Sequence, residues 1–141
     1  MDARIRLVSL LFFTTFLAGC QKPGGAFPVS GKVAFRGTLL NNGLVVFTPD
    51  TGRGESGPVA MGSIQRDGTY ILLTDDKPGA QAGYYRITVV SFDQPPSTLP
   101  GSLGASPILP EKYLDPNQSQ LACQVLANHK NNFDLDLDPR N

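Results

Sequence analysis

The sequence predicts an all-β sandwich, and three observations carry that expectation. Seven short runs of strand-forming residues are spaced along the chain and separated by turn residues. Gly 15 and Pro 12 are high counts for 141 residues and imply many turns. Beyond residue 20 no stretch keeps a sustained helical period.

Pro28 to Phe35 alternates, placing Val29, Val33 and Phe35 on one face with Gly31 between them. Arg36-Gly37 and Asn41-Asn42-Gly43 follow as turn chemistry that accepts positive φ. Leu44 to Thr48 is then a short, mostly apolar run of β-branched and aromatic residues. A third strand over Val59 to Gln65 and a fourth over Thr69 to Thr74 flank Arg66-Asp67-Gly68, where Asp-Gly signals a hairpin. The fifth, Tyr84 to Phe92, sets Tyr85, Ile87 and Val89 against Tyr84, Arg86 and Thr88. The sixth spans Leu121 to Leu126, with Cys123 in step with Leu121 and Val125. The seventh spans Asn132 to Leu137 with Phe133, Leu135 and Leu137 inward, and Asn128 to Asn131 make the turn between these two. Val33, Tyr85, Ile87, Cys123 and Leu135 each hold the inward phase and are expected in one core.

Asp93 to Gln118 is the one long irregular segment, and it contains Pro95, Pro96, Pro100, Pro107, Pro110 and Pro116. Prolines at that density remove backbone donors and forbid a central strand, so an extended surface loop is expected. Loops of this length are commonly functional, which makes it the first candidate for binding.

Ahead of the strands, Arg4 and Arg6 precede a run from Leu7 to Phe16 that is apolar apart from Ser9, Thr14 and Thr15. That length fits a signal h-region and falls short of the roughly 20 apolar residues a bilayer core requires. Leu17-Ala18-Gly19-Cys20 follows directly. The four residues resemble the lipobox of bacterial lipoproteins without a mismatch. The resemblance implies a diacylglyceryl thioether on the Cys20 sulfur, cleavage before Cys20 and a new amine open to acylation, with palmitate a typical chain. Residues 1–19 are then a signal peptide, 20–27 a flexible tether carrying Pro23, Gly24 and Gly25, and 28–138 the domain.

Several stretches occur in a fixed order: Val29-Ser30-Gly31-Lys32-Val33, Leu44-Val45-Val46-Phe47-Thr48-Pro49, Asp67-Gly68-Thr69-Tyr70 and Gly83-Tyr84-Tyr85-Arg86-Ile87-Thr88-Val89. With Pro110-Glu111-Lys112-Tyr113-Leu114-Asp115-Pro116 and the closing Phe133-Asp134-Leu135-Asp136-Leu137, they resemble the carboxypeptidase-regulatory-like domains of bacterial surface lipoproteins. The resemblance covers about residues 28 to 138. It implies a seven-stranded, transthyretin-like (Ig-like Greek-key) sandwich and carries over no catalytic residues. Two enzymes of transthyretin-like fold are excluded by residues. A hydroxyisourate hydrolase needs several histidines and a Tyr-Arg-Gly-Ser ending, and an intradiol dioxygenase needs two His and two Tyr for iron. This chain has one His and ends Asp138-Pro139-Arg140-Asn141.

Removal of residues 1–19 leaves 122, enough for one core, with ten Lys+Arg against eleven Asp+Glu. A balance so close to neutral gives no electrostatic reason to expect nucleic acid. With Cys20 lipidated, Cys123 is the only other cysteine, so no internal disulfide framework is expected, and it reads as a small buried hydrophobe.

His129, the only histidine, falls in a polar turn and cannot build a triad or a His-rich metal site by itself. Asp134, Asp136 and Asp138 share one face of the last strand at about 6.8 Å spacing. A Ca²⁺ site there would need oxygens from elsewhere, for example Asp75 or Asp76, and the simpler reading is charge guarding an edge strand. Asp75-Asp76-Lys77-Pro78-Gly79 is itself turn chemistry. Tyr70 and Tyr85 read as core, whereas Tyr84 and Tyr113 are the aromatics expected to be exposed and available for binding. No Gly-x-Ser-x-Gly, P-loop, dinucleotide fingerprint or Cys-x-x-Cys occurs.

The expectation is an exported envelope protein anchored to the membrane through its N-terminal lipid. It is a structural or interaction module, not an enzyme, with no cofactor, metal or catalytic residue. The alternative is an envelope glycan- or peptide-binding protein using the Pro-rich loop 93–118, with an envelope protein or glycan as partner.

Overall fold

The computed structural model describes residues 24–95, 97–100 and 104–138. Cys20, the expected signal peptide and the first part of the expected tether lie outside the described residues. The described residues begin with β1 (Ala26–Phe27), β2 (Val29–Phe35), β3 (Thr38–Leu39), β4 (Leu44–Pro49) and β5 (Ala60–Ser63). Then come β6 (Thr69–Ile71), β7 (Leu73–Thr74), β8 (Lys77–Pro78) and β9 (Ala80–Gln81). They close with β10 (Gly83–Val90), β11 (Ala122–Val125), β12 (Asn131–Asn132) and β13 (Leu135–Leu137). Two short 3₁₀ turns, Thr51–Arg53 and Glu111–Leu114, interrupt the strands.

The described residues are all-β, arranged in two principal sheets that share one core, an arrangement consistent with a sandwich. One sheet has the order β11-β10-β4-β5-β7-β8 and is antiparallel throughout. The other is built on β2, which takes β6 and β3 antiparallel and β12 and β13 parallel. A small pair of β1 and β9 completes the set.

Alternation explains the inward faces. Val29, Gly31 and Val33 of β2 are buried, as are Tyr85, Ile87 and Val89 of β10, while Lys32 between them is exposed. Leu135 and Leu137 are buried, and Cys123 and Phe133 pack against the core from half-buried positions. Phe47 sits at the centre. Its ring centroid lies 6.4 Å from Tyr70, 6.0 Å from Phe133 and 5.9 Å from Tyr85, so aromatic contacts join the two sheets.

Turn chemistry behaves as its residues require. Arg36 and Gly37 both take positive φ (53° and 78°) in the two-residue connection from β2 to β3. At Asp67-Gly68 the Gln65 amide donates to the Thr69 carbonyl at 2.8 Å, and Gly68 has φ 80°. The Asp67 carboxylate accepts from the Thr69 hydroxyl at 2.6 Å and from its amide at 3.1 Å. These bonds hold its carboxyl below the usual range.

Several boundaries differ from expectation. The strand expected over Thr69 to Thr74 divides at Leu72: β6 pairs with β2, and β7 pairs with β5 in the other sheet. That segment therefore joins the two sheets, and Asp67-Gly68 is a tight turn between strands of different sheets, not the hairpin expected there, because β5 and β6 pair with other strands. The strand expected over Asn132 to Leu137 divides into β12 and β13. β11 and β12 are not hairpin partners, because the turn between them carries the chain from one sheet to the other. Buried Asn131 makes that crossing: its Oδ1 accepts from the Leu126 amide at 2.9 Å, and its Nδ2 donates to the Leu126 and His129 carbonyls, both at 3.1 Å. The last two tether residues are likewise strand, since Ala26 and Phe27 pair with Gln81 and Ala80.

Candidate functional site

A polar constellation lies where β4 ends, beside β10. Asp50 follows Pro49 and caps the 3₁₀ turn, its Oδ1 accepting from the Gly52 amide at 3.1 Å. Gly54 closes the turn at φ 75°. The Asp50 amide donates to the Tyr84 carbonyl at 2.9 Å, and the Tyr84 amide donates to Glu55 Oε1 at 3.3 Å. The Asp50 side chain is only 5% exposed, and Arg86 Nε stands 3.2 Å from its Oδ1. Arg53 Nε is 3.7 Å from Oδ2, and its guanidinium also lies 4.5 Å over the Tyr84 ring.

Two hollows flank this group. One, of about 230 Å³, is lined by Asp50, Arg53, Tyr84, Tyr85, Cys123 and neighbouring β11 residues. The other, of about 280 Å³, lies between the Asp50 turn, Arg86 and Pro116-Asn117. The chemistry available there is recognition. Asp50 is held by two guanidinium groups, and the nearby thiol is protonated at neutral pH, because burial pushes Cys123 up to about 12.

Of the aromatics expected to bind, Tyr84 is half-buried in this constellation with one ring face covered by Arg53. Tyr113 is a correction. The residue is 3% exposed, and its hydroxyl donates to the Asp138 carbonyl at 2.7 Å. The 3₁₀ turn Glu111–Leu114 turns Tyr113 inward against β10, so the ring is not available for stacking on a ligand.

The other candidates separate. Asp134 and Asp136 line a groove of about 430 Å³ with Leu121, Cys123, Phe133 and Leu135, between β11 and β13. Asp134 Oδ1 accepts from the Lys32 amide at 3.0 Å. Asp75 and Asp76 line a different hollow, with Val59, Met61 and Leu73, so the two acidic groups are not brought together. Among the described residues no three of His, Cys, Asp or Glu cluster in a way that could hold a metal ion. His129 is exposed in its turn, with Nδ1 2.8 Å from the Ala127 carbonyl oxygen. Cys20, the expected lipid attachment point, lies outside the described residues.

Asp50, Arg53 and Arg86 were not singled out from the sequence. The available signal was Pro49-Asp50-Thr51-Gly52, where an Asp after a strand and before a glycine marks a side-chain-capped turn. Nothing in the linear pattern joins that turn to Arg86. Comparison with family models, with curated proteins and with solved structures finds no match.

Proposed function

We propose that the chain is an exported lipoprotein whose β-domain serves as a structural or interaction module of a bacterial envelope, without catalytic chemistry. The observation that carries this reading is Leu17-Ala18-Gly19-Cys20 directly behind a short apolar run with two arginines before it. A transthyretin-like, carboxypeptidase-regulatory-like Greek-key sandwich is the finer form we assign to the domain, on the ordered motifs from Val29 to Leu137. The two-sheet arrangement and the inward phases of β2 and β10 support it.

Burial of acyl chains contributes about 0.8 kcal/mol per CH₂, and one myristoyl chain alone binds only marginally, so two or three chains are needed for durable anchoring. Intact-mass analysis of the protein expressed in a bacterial host tests the reading. The expected result is a chain beginning at Cys20 with added acyl mass, and Cys20→Ser should accumulate as unlipidated precursor. A wild-type protein without acyl mass would overturn it.

The second reading, glycan or peptide binding by an envelope protein, finds its support at Tyr84 and Arg53 beside the 230 Å³ hollow. A glycan-array measurement on residues 24–138, compared with Arg53→Ala, separates the two readings. Binding lost in the variant would favour recognition.

A further inference from the structure

Across the six-stranded sheet, Val46, Met61, Leu73 and Pro78 are successive cross-strand partners on β4, β5, β7 and β8. Direct partners share a face. Their chain neighbours Val45, Phe47, Ala60 and Leu72 are fully buried, so this row lies on the outer face. Met61 is 49% exposed, Leu73 43% and Val59 39%, and with Leu44 they line an apolar hollow of about 430 Å³. Contiguous exposed apolar surface of this kind marks a contact with a partner or a membrane.

The row ends where the chain enters the fold. β8 is the edge strand, β1 packs beside it, and Gly79 lies so close to the Phe27 backbone that a Cβ would collide with the Phe27 carbonyl. Cys20 precedes Gly24 by four residues, which span at most about 14 Å. A lipid on Cys20 therefore brings the bilayer surface to the β8 edge, and the apolar row is the surface beside it. Asp75 and Asp76 border the same hollow, which disfavours anionic headgroups.

We propose that Val59, Met61 and Leu73 rest on the zwitterionic phospholipid surface that holds the anchor, fixing the domain's orientation on the membrane; this rests on the lipoprotein reading above. Lipidated full-length protein, methyl-labelled and placed in phosphatidylcholine nanodiscs carrying a nitroxide-labelled lipid, tests it. Methyl signals of Val59, Met61 and Leu73 should broaden several-fold more than those of Leu126, which lies just beyond β11 at the far edge of the sheet. Replacing part of the lipid with an anionic one should reduce that difference. Met61→Glu with Leu73→Glu should abolish it while the protein stays on the disc. Should the double variant fail to fold, the wild-type measurement still decides.

Equal broadening at all sites, or none, in protein that remains on the disc would overturn the orientation and leave the anchor standing. Concentration-dependent shifts at these methyls in unlipidated protein would assign the row to a second copy and likewise overturn it. Protein without acyl mass that fails to stay on the disc would overturn the lipoprotein reading itself.

Discussion

At position 31 any Cβ would collide with the Phe133 carbonyl, and the Tyr70 ring lies 2.9 Å from where that Cβ would stand. Glycine is what lets β2 pass so close to the segment between β12 and β13. The contact is bonded as well as tight: Tyr70 donates its hydroxyl to the Phe133 carbonyl at 2.6 Å, and the Phe133 amide donates to the Ser30 carbonyl at 2.9 Å. Gly31→Ala should therefore destabilise by roughly 1–3 kcal/mol, as overpacking in a filled core does. A denaturant titration reads the loss, and an unchanged midpoint would show that the two segments can part freely. On β10 the phase is tested by a pair. Ile87 is 1% exposed while Thr88 is half-buried on the other face, so Ile87→Ala should cost about 2–5 kcal/mol and Thr88→Ala much less. Equal losses would mean the phase is wrong. Such phases are legible in sequence because a strand repeats every two residues. The bonds of Asp50 to Arg53 and Arg86 are not, since Arg86 is joined to Asp50 by the register of β10 on β4 alone.

Among the elements, the Pro-rich segment behaves as two parts. Its base is closed: the Asp93 amide donates to the Ser106 carbonyl at 3.0 Å, the Ser106 amide donates to Asp93 Oδ1 at 2.9 Å, and Phe92 bridges to Pro107. Beyond that clasp the chain belongs to the core, where Leu109, Tyr113 and Ser119 are buried. Amide exchange should accordingly be slow at Ile108 and Tyr113, whose amides donate to the Ser91 and Pro110 carbonyls, and faster at exposed Gly104. Shortening the chain between Gln94 and Ala105 should leave the fold intact, because closure entropy changes slowly with loop length. Tyr113→Ala should instead cost about 3–5 kcal/mol, the usual loss for a buried aromatic ring. A shortened chain that unfolds would place the excursion within the core. Proline density foretells an absence of central strands, but a four-residue 3₁₀ turn is too short to show a period. The inward turn of Tyr113 was hidden for that reason. The strands β1, β3, β8 and β9 have two residues each and were illegible on the same ground. Long elements such as β10, by contrast, carry their inward phase in their alternation.

For the molecule as a whole, burial of ionisable groups that stay neutral couples stability to alkaline pH. Desolvation raises Tyr70 well above its ordinary 10.0, with Cys123 and Asp134 adding to the effect. Tyr85 is raised by desolvation and by Cys123, against the opposing bond from its hydroxyl to the Gln81 carbonyl. Cys123 is pushed by desolvation from 9.0 to about 12. Each of these groups holds its proton more tightly in the folded chain than in the unfolded one. Below about pH 9 both states are protonated, and the contribution to stability is fully present. As pH rises through 9 the unfolded chain begins to lose the Cys123 proton, and through 10 those of the tyrosines, while the folded chain retains them. Each proton of difference lowers the unfolding free energy by about 1.4 kcal/mol per pH unit. Urea midpoints measured from pH 7 to 11 should therefore hold level to about pH 9 and then fall, with the steeper descent above pH 10. Cys123→Ala should remove the first part of the descent, and Tyr70→Phe should lessen the second, the rest of which belongs to Tyr85 and Tyr113, also raised by desolvation. A midpoint that stays level to pH 11 would show that these side chains exchange protons with water as freely in the folded chain as in the unfolded one, which the packing around Phe47 does not allow.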